Sequence, residues 1–261
     1  MPLPEIDPII FSIGPLAIRW YGITWLLAFS VIYYLLKRKQ LFTPEQVSDL
    51  MFYGLLSSII GGRLGYMIFY GTDQLLSNPL SLFYIWQGGL SFHGGLIGVL
   101  VSCYLMAQKL NITFFGLMDI IALCIPPGLG LVRIGNFLNS ELHGRPTDVS
   151  WGVIYANDPL GVIRHPSQLY QAFLEGIVLY LILMFLSQLK KPEKFISGSF
   201  LLGYGLLRIF SEFFREPDPH LGLVGFDLLS QGQMLSIPMI AIGLFLIYYS
   251  FKIRGNNETI S

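Results

Sequence analysis

The sequence predicts an all-α fold: a polytopic membrane protein with about seven transmembrane helices, its N-terminus outside and its C-terminus in the cytoplasm. Composition is the first observation behind this. The chain is 53% hydrophobic and only 12% charged, with a mean hydropathy of +0.61, whereas soluble domains carry roughly 25% charged residues. Second, apolar runs recur near the length of about 20 residues that crosses a bilayer. Third, every lysine falls on one side of the membrane once those runs are taken as alternating spans.

The spans fall near Leu16–Leu36, Asp49–Tyr70, Gly89–Gln108, Phe114–Ile134, Gln168–Leu189, Gly198–Phe214 and Gln231–Phe251. An odd number of crossings puts the termini on opposite sides. Met1-Pro2-Leu3-Pro4 has no basic n-region and its prolines oppose a helix, so no cleaved signal peptide is expected and the first span directs insertion. Lys37 and Lys39 follow the first span, Lys109 the third, Lys190, Lys191 and Lys194 the fifth, and Lys252 the seventh. By the positive-inside rule that side is the cytoplasm, and the tail Arg254-Gly255-Asn256 lies there too. One domain is expected over 1–261. Its longest polar segment, at about 136–166, holds Gly144-Arg145-Pro146-Thr147-Asp148 and Asn157-Asp158-Pro159-Leu160-Gly161. These turn formers read as a folded outer loop able to act as a lid.

Arginine is distributed differently. Arg19, Arg63, Arg133, Arg145, Arg164, Arg208 and Arg215 map to the outer half or outer loops, and only Arg38 and Arg254 join the lysines. A planar, permanently charged fork binds carboxylate or phosphate through two parallel hydrogen bonds, so an outer site for an anionic group explains the pattern. The alternative is that each arginine pairs with a carboxylate or reaches outer-leaflet phosphates. In the sixth span Tyr204, Arg208 and Glu212 recur at i, i+4 and i+8 with Arg215 one turn further out, a polar stripe that has no place facing lipid. A buried Arg208–Glu212 pair serving only packing is the competing reading.

The densest polar cluster follows the fourth span: Arg133-Ile134-Gly135-Asn136-Phe137-Leu138-Asn139-Ser140-Glu141-Leu142-His143-Gly144-Arg145. Ser91-Phe92-His93-Gly94-Gly95 places one histidine, able to accept a proton near neutrality, among small residues at the outer end of the third span. A lone histidine there is more often a hydrogen-bonded packing residue. Gly61 and Gly65 have the spacing by which membrane helices pack closely. Arg63 between them needs an acceptor, a carboxylate such as Glu141 or a ligand phosphate. Cys103 and Cys124 lie within spans, and His143, His165 and His220 are scattered, so neither a disulfide framework nor a metal is expected. Zero net charge and the lack of a basic face interleaved with aromatics argue against nucleic acid as a partner.

These residues carry a resemblance. Ser91 through Gly95, Arg133 through Gly144 and Tyr204 through Asp218 resemble the phosphatidylglycerol–prolipoprotein diacylglyceryl transferases, as do Arg19-Trp20-Tyr21-Gly22, Gly62-Arg63-Leu64-Gly65-Tyr66 and Arg164-His165-Pro166-Ser167-Gln168-Leu169-Tyr170. The likeness spans nearly the whole chain, and the motif from Arg133 is its most specific part. Gln171 departs from the pattern, since relatives often carry glutamate directly after this tyrosine. A carboxylate role there passes to Glu175 or is absent.

The resemblance implies a bacterial inner-membrane enzyme whose single catalytic domain opens to the periplasm. It moves diacylglyceryl from phosphatidylglycerol to the lipobox cysteine in a preprolipoprotein signal peptide, leaving a thioether and releasing glycerol 1-phosphate. It also implies roles. Arg133 and Arg208 hold the phosphate, Glu141 and Glu212 orient them, and Tyr21, Asn136, Asn139 and Tyr204 position polar groups. Arg63, Gly144 and Arg215 join them in substrate binding, and His93 is the candidate base, with water or a glutamate as its alternative. No cofactor is required, and the other partner is membrane lipid. Two rivals remain: an organic-anion transporter, which would show internal repeats and a midplane site, and a noncatalytic membrane scaffold.

Overall fold

The computed structural model describes residues 7, 9–14, 16–189, 191–217 and 228–258. Met1–Pro4, Lys190, Asp218 and His220 lie outside the described residues. Two strands, β1 (Ile9–Ile13) and β2 (Leu16–Arg19), precede the helices α1 (Trp20–Arg38), α2 (Pro44–Phe69), α3 (Thr72–Ser77), α4 (Phe92–Lys109) and α5 (Phe114–Leu138). Then α6 (Ser167–Gln171) runs through a wider π-helical stretch (Ala172–Val178) into α7 (Leu179–Ser187), followed by α8 (Phe195–Glu212) and α9 (Gln231–Glu258). Long helices therefore occupy each expected span. Among the described residues, Pro44–Phe69, Phe114–Leu138, Ser167–Ser187 and Gln231–Lys252 are long and apolar enough to cross a membrane. The remaining long helices are shorter: α1 has 19 residues, and α4 and α8 have 18 each.

Local chemistry moves several boundaries. The first residues of the expected first span are strand, because the β-branched Ile9, Ile10, Ile13 and Ile18 favour extended backbone and Gly14, at φ +58°, permits the turn that pairs β1 with β2. The second helix starts at Pro44, five residues before Asp49. There Thr43 Oγ1 accepts from Gln46 N and Gln46 Oε1 accepts from Thr43 N, at 3.3 and 2.8 Å, a reciprocal cap. Conversely α4 starts only at Phe92, since Gly88 and Gly89 adopt φ +83° and +79° and Ser91 caps the helix through Gly94 N. The helix of the fourth span, α5, runs on to Leu138, so Asn136 stands with Arg133 on its last turns rather than in the loop that follows.

The chain divides into two compact units, one of residues up to Leu35 together with those from Asp119, the other Leu36–Met118. In the second unit α2 packs on α4 through glycines: a Cβ at Gly65 would lie 2.9 Å from Gly94 Cα, and one at Gly98 2.9 Å from the Ser57 carbonyl carbon. Gly61 and Gly65 therefore serve backbone approach, as their spacing predicts. Lys109 pairs with Asp49 at 2.7 Å at one end of this helix pair, while Ser91 N donates to Gly62 O at the other.

In the first unit the α5 backbone meets the π-helical stretch where a Cβ on Gly176 would come within 2.8 Å of Gly130 Cα. Thr24 of α1 packs against Gly135, and α8 meets α9 at Gly198, Gly205 and Gly243. Asp119 at the start of α5 accepts from Lys194 N and Ser197 N, at 2.9 and 2.7 Å, capping the start of α8. Lys194 and Lys191 lie over the rings of Tyr249 and Phe251 near the end of α9. The lysine-bearing end of this unit is thus opposite the end where α5 finishes, α8 finishes and α9 begins. Between the ends, Leu179 and Leu183 are fully buried while Leu181, Ile182, Phe185 and Phe245 are exposed. An apolar exterior of that kind suits hydrocarbon and not water.

Candidate active site

Three guanidinia and two carboxylates converge at the end of the first unit opposite the lysines. The Gly130–Gly176 contact brings the last turns of α5 against the π-helical stretch, so Arg133 Nε comes 3.7 Å from Glu175 Oε2. Arg208 Nη1 approaches the other oxygen of the same carboxylate at 3.5 Å. The remaining fork nitrogen, Arg208 Nη2, lies 2.6 Å from Glu212 Oε1, one turn along α8, and Arg215 Nη1 reaches that oxygen at 3.1 Å. Glu175 and Glu212 are 0% and 2% exposed, so neither charge is relieved by bulk solvent. Tyr204 stands on α8 one turn before Arg208.

The two carboxylates do different things. Glu212 is fixed: Ser230 Oγ donates to its Oε2 at 2.6 Å, and Gly232 lies so close that a Cβ there would meet the carboxyl carbon at 2.8 Å. Ser230 also caps α9, accepting from Gln233 N while Gln233 Oε1 accepts from Ser230 N. The positive end of that helix faces an acid. Glu175 is held loosely, since charge-assisted hydrogen bonds run at about 2.7–2.9 Å and both arginine contacts exceed that. Ser211 Oγ donates to Glu175 Oε1 at 3.3 Å. Among the described residues Glu175 Oε2 and Arg208 Nη1 have no hydrogen-bond partner. The cluster thus holds Arg208 by one face and keeps a spare donor and a spare acceptor.

Glu141, expected to orient these arginines, does something else. Its carboxylate accepts from Asn136 Nδ2 at 3.1 Å and Asn139 Nδ2 at 3.3 Å, and its backbone oxygen accepts from Gln168 Nε2. No arginine pairs with it among the described residues. Glu175 takes its place because the helix interface, not sequence proximity, decides which acid reaches Arg133. Sequence reasoning reached Glu175 only as a substitute for a missing acid at Gln171, and it missed Ser230 and Gly232. The readable signal for Glu175 was its place on the face Gln168, Gln171, Glu175, Leu179, Leu183.

The outer loop is folded, and two of the seven outer arginines hold it. Arg164 grips both oxygens of Asp158 at 2.8 and 3.1 Å, Glu216 Oε2 at 2.9 Å and the Gly144 carbonyl at 3.1 Å. This fork holds the Asp158 carboxyl below the usual carboxylate range and raises the Arg164 guanidinium further. Arg145 Nε donates to the Arg215 carbonyl. Gly144 is needed for close approach, since a Cβ would lie 2.8 Å from the His165 carbonyl carbon. Partial burial lowers the His165 imidazole from its ordinary value. Burial also raises the Tyr155 hydroxyl, which donates to Gln168 Oε1 at 2.7 Å.

Arg63 receives a correction. Its guanidinium donates to four backbone carbonyls of its own unit, Ser81 and Gly88 at 2.6 Å, Leu82 at 3.0 Å and Gly89 at 3.2 Å. The Ser81–Gly89 loop supplies the acceptors it needed. His93 stands exposed on the first turn of α4, edge-on to Phe92, with no hydrogen bond among the described residues. It lines an apolar groove of about 670 Å³ with Gly61, Gly65, Ile97 and Val101, so the hydrogen-bonded packing role is absent. Tyr21 lies in the first turn of α1, edge-on to Trp25 and one turn before the Thr24 that touches Gly135. Arg19 ends β2 and is exposed.

The family described as prolipoprotein diacylglyceryl transferase matches residues 8–249. A phosphatidylglycerol–prolipoprotein diacylglyceryl transferase of Pseudoalteromonas atlantica is 52% identical over 264 residues, covering 98% of this chain and 93% of the relative. The protein of that name from a Marinomonas species is 50% identical over 256 residues, with 96% and 95% covered. That of Acinetobacter baylyi is 45% identical, with 95% and 94% covered. Matched from near one end to the other, and with helices long and apolar enough to cross a membrane, the chain belongs to the prolipoprotein diacylglyceryl transferase family, as a multi-pass membrane protein.

Proposed function

We propose that the chain transfers diacylglyceryl from phosphatidylglycerol to the cysteine thiol of a prolipoprotein, the first step of lipoprotein maturation. The observation that carries this reading is the pair Arg133 and Arg208 converging on one buried carboxylate, with Arg208 fixed from behind by Glu212. A thiolate sulfur attacks the glycerol carbon that bears the phosphate. A carbon–sulfur bond forms, the carbon–oxygen bond to phosphate breaks, and its electron pair passes to the phosphate oxygen, releasing glycerol 1-phosphate. Charge grows on that phosphate, and preorganised guanidinia in a water-poor site stabilise it best.

Arg133 and Arg208 take the phosphate, Glu212 and Arg215 hold Arg208 in place, and Tyr204 positions polar groups. Asn136, Asn139 and Glu141 form the adjoining polar knot, with Tyr21 and Gly144 shaping the entrance. An ordinary thiol with a pKa of about 8.5 is mostly protonated at neutral pH, and His93 or a glutamate accepts its proton. The helices make seven crossings of the bacterial inner membrane, with the N-terminus and the arginine cluster on the periplasmic side and the lysines in the cytoplasm. Phosphatidylglycerol and the lipobox signal peptide arrive laterally through the bilayer. Neither cofactor nor nucleic acid takes part.

The test is reconstitution of the full chain in phosphatidylglycerol vesicles with a lipobox peptide and its cysteine-to-serine counterpart. The expected result is a diacylglyceryl thioether on the cysteine peptide alone, with glycerol phosphate released in equal amount. Uptake of organic anion into the vesicles without peptide lipidation would instead identify a transporter.

A further inference from the structure

One polar side chain near the cluster is left over by the mechanism. Gln171 is 1% exposed, and both its amide nitrogen and its amide oxygen lack a hydrogen-bond partner among the described residues. It shares the buried face of its helix with two engaged neighbours. Gln168, one turn before, bonds to Tyr155 and to the Glu141 carbonyl. Glu175, one turn after, is ion-paired with Arg133 and Arg208, and its Oε2 accepts no hydrogen bond among the described residues. The helix widens into its π-helical stretch from Ala172, directly after Gln171, and such stretches recur at functional sites. Leaving a buried donor and acceptor both unmade is costly, so this amide calls for a ligand group that accepts and donates at once.

A hydroxyl is such a group. It accepts from the amide N–H and donates to the amide oxygen, whereas an ammonium only donates and would leave the N–H stranded. Resting on the transferase reading, in which the adjacent arginines hold a phosphate ester, we propose that Gln171 is the selectivity residue for the head group: its amide pairs with a hydroxyl of the polyol esterified to that phosphate. The cluster thereby distinguishes a glycerol head group from an ethanolamine one of similar size. Arg133 and Arg208 provide affinity for either phosphate, and Gln171 decides between them.

The experiment measures kcat/KM of the full-length enzyme for phosphatidylglycerol and for phosphatidylethanolamine as diacylglyceryl donors, with Gln171→Met beside wild type. A stranded buried donor corresponds to about tenfold or more in discrimination. Gln171→Met should fold with an unchanged or higher Tm, because an apolar side chain of like shape leaves nothing unsatisfied, and its preference for the glycerol head group should fall by at least about tenfold. The fall should come through KM for the lipid, with KM for the peptide unaltered. A folded Gln171→Met with the wild-type donor ratio overturns the assignment while leaving the transferase reading intact, and marks the amide as a site for internal water. A fall in kcat equal for both donors also overturns it. Wild type that transfers from neither lipid overturns the transferase reading and this assignment with it.

Discussion

At the scale of single residues, the outer arginines fall into distinct trades that their chemistry alone does not separate. Arg133, Arg208 and Arg215 face buried acids, Arg145 and Arg164 fasten the outer loop, and Arg63 fastens a loop in the other unit. The consequence for Arg63 is a structural phenotype: Arg63→Ala leaves four carbonyls without their shared donor, and thermal unfolding should show a loss of about 3 kcal/mol. Arg63→Lys should recover only part of that, because an ammonium cannot span the same four oxygens. The sequence made the stripe Tyr204, Arg208, Glu212 legible, since helical period alone lines it up. Glu175 and Ser230 were not legible as partners, because each reaches the cluster from a different helix, and nothing in one segment names the side chain that will face it. Glu141, given an orienting role by the resemblance, pairs instead with Asn136 and Asn139, because a motif names residue types and not the side chains that meet in space.

At the scale of elements, glycine contacts decide where the arginines end up. Gly176 lets the π-helical stretch lie against Gly130, and Glu175 and Arg133 are the side chains next to that contact. Gly176→Ala would place a methyl 2.8 Å from a backbone carbon that cannot move aside. It should therefore reduce transfer by about tenfold or more without removing any ionisable group, since small misplacements are costly in catalysis. Circular dichroism showing intact helix beside that loss would tie the effect to geometry. Ser230→Ala should cost about 1 kcal/mol from the cap of α9 and loosen Glu212 as well. The outer loop has its own titration. Arg164 holds Asp158 below the ordinary carboxylate value of about 3.9, so this pair stabilises the loop fully above that value. Its contribution is lost as pH falls through the depressed one. Asp158→Asn should lower Tm at neutral pH by an amount that shrinks below about pH 4, and a difference independent of pH would refute the ion pair's part. The element boundaries that the sequence misplaced, at β2, Pro44 and Phe92, were set by a hairpin turn, a capping box and two left-handed glycines. Those are local signals, present in the sequence but overshadowed by the longer hydropathy runs.

At the scale of the whole molecule, composition and lysine placement made the membrane class legible, because a lipid-solvated exterior leaves its mark on every segment. In the larger unit Lys191 and Lys194 lie at one end and the buried Arg208 at the other. Sidedness has a direct check. Leu41 and Leu160 are exposed, at 60% and 69%, and Cys103 and Cys124 are buried. In intact spheroplasts an impermeant maleimide should label Leu160→Cys, and label Leu41→Cys only after the membrane is opened; the reverse pattern would invert the topology. The central claim, that Arg133 and Arg208 form the phosphate site of a diacylglyceryl transfer, is tested most directly by kcat for a lipobox peptide in phosphatidylglycerol vesicles. Arg133→Lys and Arg208→Lys should each fold, keep KM for the peptide, and lose about 10²-fold or more in kcat, the scale on which one preorganised oxyanion donor matters. Folded lysine variants that transfer diacylglyceryl at the wild-type rate would contradict it.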